Sequence, residues 1–506
     1  MSNGDAKVNK IKVDWDKLDK VFCDLKTNQK HEIEVQREAI PLIFIPGIMG
    51  SVLRLKNTDG SGRGANGLPN MRWDPSGKWF MLSNYSGESG ATRRDMLIGS
   101  DFNKDFLEVH NSSPIGNGFQ GVSSDSYLEY LTFLQNPEIF GPLTKIFDFP
   151  VFAVGYNWTD TNTNSGKELS KRIDEIISEA KKNTGLCEKV ILITHSMGGL
   201  VSRSASELAG AKSKILGIVH GVQPATGAAA AYWRIKAGFE GCNMASRVLG
   251  NNAHTTTPIL GNMPGGLELL PNQFYQDNAG RKQWLIVTEK GKEIIAEPKL
   301  DPYNDIYRVK GTGDETKHPD RKYWGLVDPD LLNPGKKKIH TIDSNTNEFD
   351  ANDSVTGEDP WKKYLKVLKL AGKFNINLKK QHHPDTYTFH GTGHTTADNV
   401  VMETESVWVE WDSYPKRGFR GRFKNNQGEA RRALLQEPAG TGDGTVSISS
   451  GSFLDSIAVT PPKPEGKEAE HEPAYKTDGL KDFSLKAIIS LCTRHYEKKR
   501  GVKVVF

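Results

Sequence analysis

Short continuous apolar runs alternate with amphipathic stretches along the first half of the chain. The runs are too short for buried helices and end in turn residues, which is typical of buried strands; they cover residues 40–45, 149–156, 190–193 and 215–219. Between them, apolar residues recur at helical spacing over 169–180 and 200–208, which predicts two amphipathic helices. Strands that alternate with helices favour a mostly parallel sheet with right-handed crossovers. The pattern therefore predicts an α/β fold with a sheet flanked by helices.

The remaining segments break this alternation and define the predicted domain organisation. Residues 1–35 read as a polar arm with one short helix, and a first part of the core covers 36–227. An insertion at 51–125, rich in Gly, Ser and Asn, is predicted to be irregular, and residues 228–380 are predicted to form a cap or lid inserted in the core. The second part of the core covers 381–506. It is predicted to contain strands at 386–389 and 407–411, a solvated loop at 461–470 and a closing helix at 485–492.

Charge and composition exclude several classes of protein. The 506 residues include 66 Lys and Arg against 62 Asp and Glu, so the near balance gives no nucleic-acid signature, although a short basic run lies at 336–338. The N-terminus lacks the apolar core of a signal peptide, and no apolar run is long enough to cross a membrane. We therefore expect a protein made in the cytoplasm, which would need a signal-independent route to act elsewhere.

The cysteines give no sign of a metal or redox site. The chain has four of them, Cys23, Cys187, Cys242 and Cys492, and none forms a CxxC pair. They are predicted to be reduced structural thiols.

The segment ILITHSMGGL at 191–200 carries the strongest chemical signal. Ser196 lies between a predicted strand and a predicted helix, with a small residue two positions before it and Gly198 two positions after it. This spacing is typical of the nucleophile elbow of the α/β-hydrolase fold, a turn so sharp that bulky flanking side chains would collide. Thr194 stands where glycine is commonest, and it is small enough to fit. The alternative is an ordinary strand–helix junction.

A serine nucleophile needs a base and an acid, which follow it in this fold in the order acid, then histidine. Asp443 is flanked by glycines in the sequence GDGTV, and His471 lies in a loop before the closing helix. They are the predicted acid and base; a plain Asp-Gly turn is the alternative for Asp443. His495 lies at the far end of that helix and is expected to face solvent or to cap it. Four clustered histidines at 382, 383, 390 and 394 lack carboxylate or thiol partners, which disfavours a metal site.

Backbone N–H groups are expected to hold the negative charge that develops on the substrate. The loop PGIMGS at 46–51 follows the first predicted strand, and its glycines let the backbone approach a ligand closely. The N–H groups of Ile48 and Met197 are the predicted oxyanion donors. Met49 is the alternative to Ile48, and a purely structural loop is the alternative role.

Seven ordered motifs together resemble lecithin:cholesterol acyltransferase-like lipases and GPI inositol-deacylase-like hydrolases. The motifs are PGIMGS at 46–51, GYNW at 155–158, THSMGG at 194–199, PGGLELLP at 264–271, FHGTGHTT at 389–396, GDGTV at 442–446 and HEPAYK at 471–476. The resemblance implies that Ser196 is the nucleophile, Asp443 the acid and His471 the base. Asn157 replaces an aspartate that is usual in the family, at a position of structural rather than catalytic character.

The chain is also similar to bacterial antibacterial lipase effectors delivered by type VI secretion. That similarity implies membrane phospholipids as substrates and a cognate immunity protein as partner. It agrees with a serine lipase or phospholipase that forms an acyl-enzyme and needs no metal or organic cofactor. An apolar acyl groove is expected to include Ile48, Met49, Met197, Ala225 and 228–231, and ordinary core packing is the alternative for these residues.

Two other functions stay open. The first is a deacylase or thioesterase that acts on a soluble or protein-linked ester. The second is a non-catalytic binding protein built on a hydrolase scaffold.

Overall fold

The computed structural model describes most of the chain. The described residues are 9–14, 31–56, 70–99, 107–110, 117–240, 244–335, 358–406, 420–425, 427–454 and 469–501. The predicted strand at 407–411, the basic run at 336–338, most of the predicted loop at 461–470, and Cys23 and Cys242 lie outside them.

A five-stranded parallel sheet forms the centre of the fold. Its strands are β1 (Leu42–Ile45), β2 (Val151–Ala153), β3 (Val190–His195), β4 (Ile215–Gly221) and β5 (Thr386–Phe389). They pair in the order β5–β4–β3–β1–β2, so strands adjacent in the sheet are often distant along the chain. Every pairing is parallel, which puts the carboxyl ends of all five strands at one edge. The prediction of an α/β fold with a parallel sheet is confirmed.

Both faces of this sheet are covered, which explains why its strands are continuously apolar. Along β1, Ile43 and Ile45 pack into one apolar cluster, whereas Leu42 and Phe44 pack into a second cluster on the opposite face. Burying a side chain of this size stabilises the fold by roughly 1.5–3 kcal/mol. The sheet is therefore held by two cores rather than one.

The helices that cover the sheet and position the site are α1 (Lys78–Tyr85), α2 (Ser124–Gln135), α3 (Asn162–Thr184), α4 (Gly198–Arg203) and α5 (Asp478–Arg500). The predicted apolar stripe on α3 is buried, including Leu169, Ile173 and Ile176. Thr161 caps the start of α3, and Gly185 ends it with a φ of 84°. The α3 and α5 predictions are confirmed. The helix predicted over 200–208 is α4 followed by a short π-helical segment at Ser204–Leu208.

A second five-stranded sheet is mixed and crosses a predicted domain boundary. Its strands, in sheet order, are Lys292–Glu297, Leu285–Glu289, Val400–Ser406, Ala430–Leu435 and Arg420–Lys424. The first two come from the predicted cap and the other three from the second part of the predicted core. The predicted boundary at 380 thus does not separate the two sheets.

The insertion at 51–125 contains more regular structure than its composition predicts. It holds three strands, Leu53–Leu55, Met71–Trp73 and Leu107–Val109, together with α1, a further helix at Gly90–Leu97 and the start of α2. In the N-terminal arm, Asn9–Asp14 and His31–Gln36 form a two-stranded parallel sheet. The short helix predicted in this arm was given no position, and most of the arm lies outside the described residues.

The remaining described elements are shorter or lie outside the central layer. The strands are Glu38–Ala39, Phe147–Asp148, His394–Thr396 and Gly440–Gly442. The α-helices are Ala229–Ala237, Met244–Leu249, Ala253–Leu260, Pro264–Leu267, Pro302–Asp305, Pro360–Leu378 and Ile448–Gly451. The 3₁₀ helices are Phe119–Gly121, Pro137–Lys145, Lys212–Lys214, Pro329–Leu331 and Ala474–Lys476. No helix in the described ranges is both long and apolar enough to span a membrane.

Candidate active site

Ser196 occupies a sharp turn between β3 and α4, at the carboxyl edge of the central sheet. Its backbone φ is 51°, which lies in the left-handed region that side chains other than glycine rarely adopt. Its N–H donates to the Gly221 carbonyl at 2.9 Å, and its own carbonyl accepts from Gly199 N–H at 2.9 Å. A Cβ added at Gly198 would lie 2.4 Å from the Pro46 carbonyl oxygen, so this position requires glycine. The local geometry is that of a nucleophile elbow.

Left-handed backbone recurs at the ends of neighbouring strands. Met49 follows β1 with a φ of 64°, and Val222 follows β4 directly with a φ of 46°. Because β1, β3 and β4 are adjacent, these residues and Ser196 lie along one edge of the sheet. Val222 is β-branched, which makes the conformation especially unfavourable. Strained backbone of this kind tends to collect at functional sites.

Thr194 is accommodated in the elbow by a partner on the next strand. Its Oγ1 lies 2.9 Å from Nδ1 of His220, which is fully buried. Burial holds the pKa of His220 well below its usual value, so the ring is neutral and the threonine hydroxyl can donate to it. Tyr475 donates its hydroxyl to the Thr194 carbonyl at 2.8 Å. The threonine is therefore a fully hydrogen-bonded part of the turn.

The structure brings Ser196, His471 and Asp443 into one chain of hydrogen bonds. His471 Nε2 lies 2.9 Å from Ser196 Oγ, and its Nδ1 lies 2.8 Å from Asp443 Oδ2. The Asp443 side chain is almost fully buried, and its Oδ1 accepts the backbone N–H groups of Thr445 and Val446. The glycine-flanked turn therefore fixes the carboxylate, and the carboxylate fixes the imidazole.

The other histidines take different places. His495 was expected to face solvent or to cap its helix; its side chain is 13% exposed and its Nε2 lies 3.2 Å from Glu38 Oε1. Although burial raises the pKa of Glu38, His495 and Lys499 together hold that pKa below its usual value. Among the described residues, no group of three or more His, Cys, Asp or Glu side chains could hold a metal ion, and this includes the histidines at 382–394.

The loop after β1 crosses directly above the serine. A Cβ added at Gly47 would lie 3.1 Å from Ser196 Cβ, so the backbone of this loop and Ser196 are in near contact. Within the described part of the chain, no acceptor takes the N–H of Ile48 or of Met197. The same holds for the N–H of Met49, so the roles of Ile48 and Met197 as oxyanion donors stay a prediction. The Met49 carbonyl accepts Trp73 Nε1–H at 2.8 Å, which ties the outer side of the loop to the 51–125 segment.

Most residues of the predicted acyl groove belong to the core instead. Met197, Ala225 and 228–230 are buried in the protein, whereas Ile48, Met49 and Ala231 are partly exposed. Core packing was the alternative interpretation for these residues, and it describes the buried members.

Several residues outside this hydrogen-bonded trio were also singled out by the sequence or lie beside the trio. Asn157 Oδ1 accepts from the backbone N–H and the hydroxyl of Thr159, which fits a structural role. Cys187 and Cys492 are buried free thiols, as predicted, and burial raises the pKa of Cys187 to about 12.

Tyr127 and His195 lie against the site, but the sequence pattern does not single them out. Tyr127 belongs to an unexceptional amphipathic helix, and His195 is one variable position of the serine motif.

Comparison with known proteins agrees with this architecture. The family described as the PGAP1-like alpha/beta domain matches residues 147–255, a range that contains the elbow. A chain in the crystal structure of the Tle4–Tli4 complex is 23% identical to this one, with a TM-score of 0.67, and the match covers 90% of this chain and 99% of that chain. Among curated proteins, no match was found.

Two further solved structures are less similar. The phospholipase PlaB from Legionella pneumophila is 14% identical over 62% of this chain and 79% of its own, with a TM-score of 0.20. The lipase BlEst2 from Bacillus licheniformis, in its propeptide form, is 12% identical over 85% of this chain and 83% of its own, with a TM-score of 0.22. TM-scores this low do not establish a shared fold.

The elbow and the parallel sheet define this chain as an α/β hydrolase in fold. More particularly, its residues 147–255 are similar to the PGAP1-like alpha/beta domain, and the chain shares its overall fold with the matched chain of the Tle4–Tli4 complex.

Proposed function

We propose that this chain is a serine carboxylic ester hydrolase that cleaves membrane lipids, a lipase or phospholipase. The observation that carries the proposal is the continuous set of hydrogen bonds from Asp443 through His471 to Ser196 Oγ on a strained elbow. A buried carboxylate that holds an imidazole against a serine hydroxyl is the arrangement needed for acyl transfer through a serine ester.

The reaction proceeds in two similar halves. Ser196 Oγ attacks the ester carbonyl carbon while His471 Nε2 takes the hydroxyl proton, and Asp443 stabilises the resulting imidazolium. The N–H groups of Ile48 and Met197 hold the oxyanion, and each such donor contributes about 3 kcal/mol in the transition state. The C–O bond then breaks, and the leaving alcohol takes the proton from His471. Water repeats the sequence on the acyl-enzyme and releases the fatty acid.

The fold match supports the proposed biological role, and an exposed tryptophan on α1 supports the proposed lipid substrate. The Tle4 of the fold match is found in complex with Tli4, and we propose that this chain likewise binds a dedicated protein partner, a cognate immunity protein. On this proposal the chain is an antibacterial effector that reaches a rival cell by type VI secretion.

Product analysis on phospholipid vesicles tests the proposed reaction. Wild-type protein incubated with phosphatidylethanolamine and phosphatidylglycerol vesicles is expected to release fatty acid and lysophospholipid, detected by mass spectrometry. A fluorophosphonate probe is expected to leave one adduct, on the peptide that contains Ser196. Cleavage of short soluble esters or thioesters alone would favour the deacylase alternative. A folded protein with no adduct would favour the non-catalytic binding protein.

Trp79 on α1 offers a test of the lipid surface itself. The side chain is 85% exposed. Two residues before α1, Ser76 Oγ accepts Ser124 N–H at 2.8 Å, and Ser123 N–H donates at 2.8 Å to the carbonyl of Gly50 in the loop above the serine. An exposed indole suits the membrane–water interface. Trp79→Ala is expected to lower activity on vesicles about tenfold, equivalent to about 1.4 kcal/mol of lost surface affinity.

The same variant should hydrolyse a soluble p-nitrophenyl ester at the wild-type rate, because Trp79 lies outside the proposed machinery. Leu300→Ala is the matched control, since Leu300 is 90% exposed and belongs to a different segment. Equal losses on vesicles and on the soluble ester, or equal losses for the two variants, would contradict a specific role for Trp79 at the lipid surface.

A further inference from the structure

Three hydrogen bonds connect the loop above the serine to the loop that carries the proposed base. Gly47 N–H donates to the Tyr127 hydroxyl oxygen at 3.1 Å. That oxygen lies 3.0 Å from His195 Nδ1, and His195 Nε2 lies 2.7 Å from the backbone carbonyl oxygen of His471. The chain therefore runs from the residue before Ile48, through the residue before Ser196, to the residue proposed as the base.

The direction of every hydrogen in this chain follows from elementary chemistry. A carbonyl oxygen only accepts, so His195 Nε2 must carry the proton. Burial, followed by the proximity of His471, lowers the pKa of His195 to about 4, so the ring is neutral and its Nδ1 is an acceptor. Tyr127 must then donate its hydroxyl proton to Nδ1, which leaves its oxygen to accept from Gly47. Only this Nε2–H tautomer satisfies all three bonds.

Tyr127 holds the loop after β1 at two points. Its hydroxyl binds Gly47, and its helix α2 is capped by Ser123, whose N–H donates to the Gly50 carbonyl. The ring is buried and packs 4.8 Å from Phe44 of β1, centroid to centroid. A Cβ added at Gly50 would lie 2.8 Å from the Tyr127 hydroxyl oxygen, which shows how closely the loop wraps this side chain. The phenol side chain of Tyr127 is thus held between β1 and the loop that follows β1.

We propose that Tyr127 and His195 are positioning residues that set the distance between the oxyanion loop and the loop of His471. Neither touches the reacting atoms; they act through Gly47 and through the backbone of His471. The inference rests on the proposed serine hydrolase function. Its physical basis is that a displacement of about 1 Å in a catalytic array lowers turnover by about 100-fold, so a directed chain between the two loops has a direct kinetic effect.

Tyr127→Phe tests the chain by removing one oxygen and keeping the ring. It leaves Gly47 N–H and His195 Nδ1 without partners, and kcat on a soluble p-nitrophenyl ester is expected to fall about 10- to 100-fold with little change in KM. The rate of fluorophosphonate labelling at Ser196 is expected to fall by the same factor. His195→Phe is expected to produce a similar loss, and the double variant to be little worse than either single one, because both break the same chain.

Tyr130→Phe is the matched control. Tyr130 lies on the same helix, is also buried, and loses a buried hydroxyl bond, to Ser484 Oγ at 2.7 Å. Its ring packs against Tyr475, but its hydroxyl bonds to neither loop. It is expected to keep kcat within about twofold of wild type. Conservative His195→Gln, which can still donate an amide N–H to the His471 carbonyl, should recover part of the activity lost in His195→Phe.

The outcomes separate this inference from the proposed function. An active wild type whose Tyr127→Phe and Tyr130→Phe variants turn over equally would overturn the inference alone. A wild type with neither turnover nor a Ser196 adduct would overturn the proposed function and the inference with it. If Tyr127→Phe does not fold, ¹⁵N chemical shifts of the histidine rings in the wild type provide the second measurement: the Nε2–H tautomer at His195 supports the chain, and the Nδ1–H tautomer refutes it.

Discussion

Ser196→Ala is expected to lower kcat on any ester that the wild type cleaves by roughly 10⁴- to 10⁶-fold, because the variant loses the oxygen that lies 2.9 Å from His471 Nε2 and is proposed to form the acyl-enzyme. Thermal unfolding should change little, since alanine keeps the packing of the elbow. The measurement is steady-state hydrolysis of a soluble ester alongside a thermal melt.

An exposed serine provides the control for this replacement. Ser178 lies on the solvent side of α3, and Ser178→Ala should match the wild type in both assays. If Ser196→Ala retained more than a few per cent of wild-type activity while folded, the nucleophile would have to be another residue.

His471→Ala is expected to lower kcat by a similar factor. Removal of the imidazole leaves Ser196 without a base and leaves the Asp443 carboxylate, which is 1% exposed, without the partner of its Oδ2. Because the Asp443 turn also accepts two backbone N–H groups through Oδ1, the fold around it should persist. Kinetics on a soluble ester and a circular dichroism melt separate loss of chemistry from loss of structure.

His495→Ala is the comparison that gives this result its meaning. His495 is also a partly buried histidine paired to a carboxylate, Glu38, but it lies at the far end of α5. Its replacement should cost stability, with Lys499 still paired to Glu38, and should leave kcat within about twofold. Should His495→Ala abolish turnover while His471→Ala does not, the base has been assigned to the wrong histidine.

Local patterns were sufficient to predict the central sheet and the elbow. Each parallel strand is buried on both faces and therefore shows a continuous apolar run, and the serine turn imposes small residues at fixed offsets in the sequence. The order acid, then histidine, after the serine reduced thirteen histidines to one choice, and the structure places that choice beside Ser196. Its role in catalysis stays a prediction.

Contacts between distant segments could not be predicted in the same way. His495 was expected to face solvent or to cap its helix, and its partner Glu38 is 457 positions away in the sequence. The link between Tyr127 and His195 is likewise tertiary. The second sheet escaped prediction because it joins strands from both sides of a boundary that composition alone suggested.

The segment at 51–125 shows why composition misled. Its glycines and serines predict irregular structure, but Gly90 begins a helix whose backbone lies against another helix: a Cβ there would be 2.2 Å from the His254 carbonyl oxygen. Ser89 caps that helix by accepting Thr92 N–H. Residues that are typical of loops serve here for close approach and capping, a distinction that only the neighbouring segment reveals.

The left-handed backbone at Met49, Ser196 and Val222 has a bearing on any effort to make this protein more heat-resistant. Glycine adopts such angles freely, so replacements there would relieve strain of about 1 kcal/mol or more at each position. Selection for thermostability alone would therefore accept changes at the carboxyl edge of the sheet. Such changes are expected to raise the thermal stability of the protein and to lower its turnover. Stabilising replacements are better sought on the exposed sides of the helices that cover the faces of the sheet, such as α3.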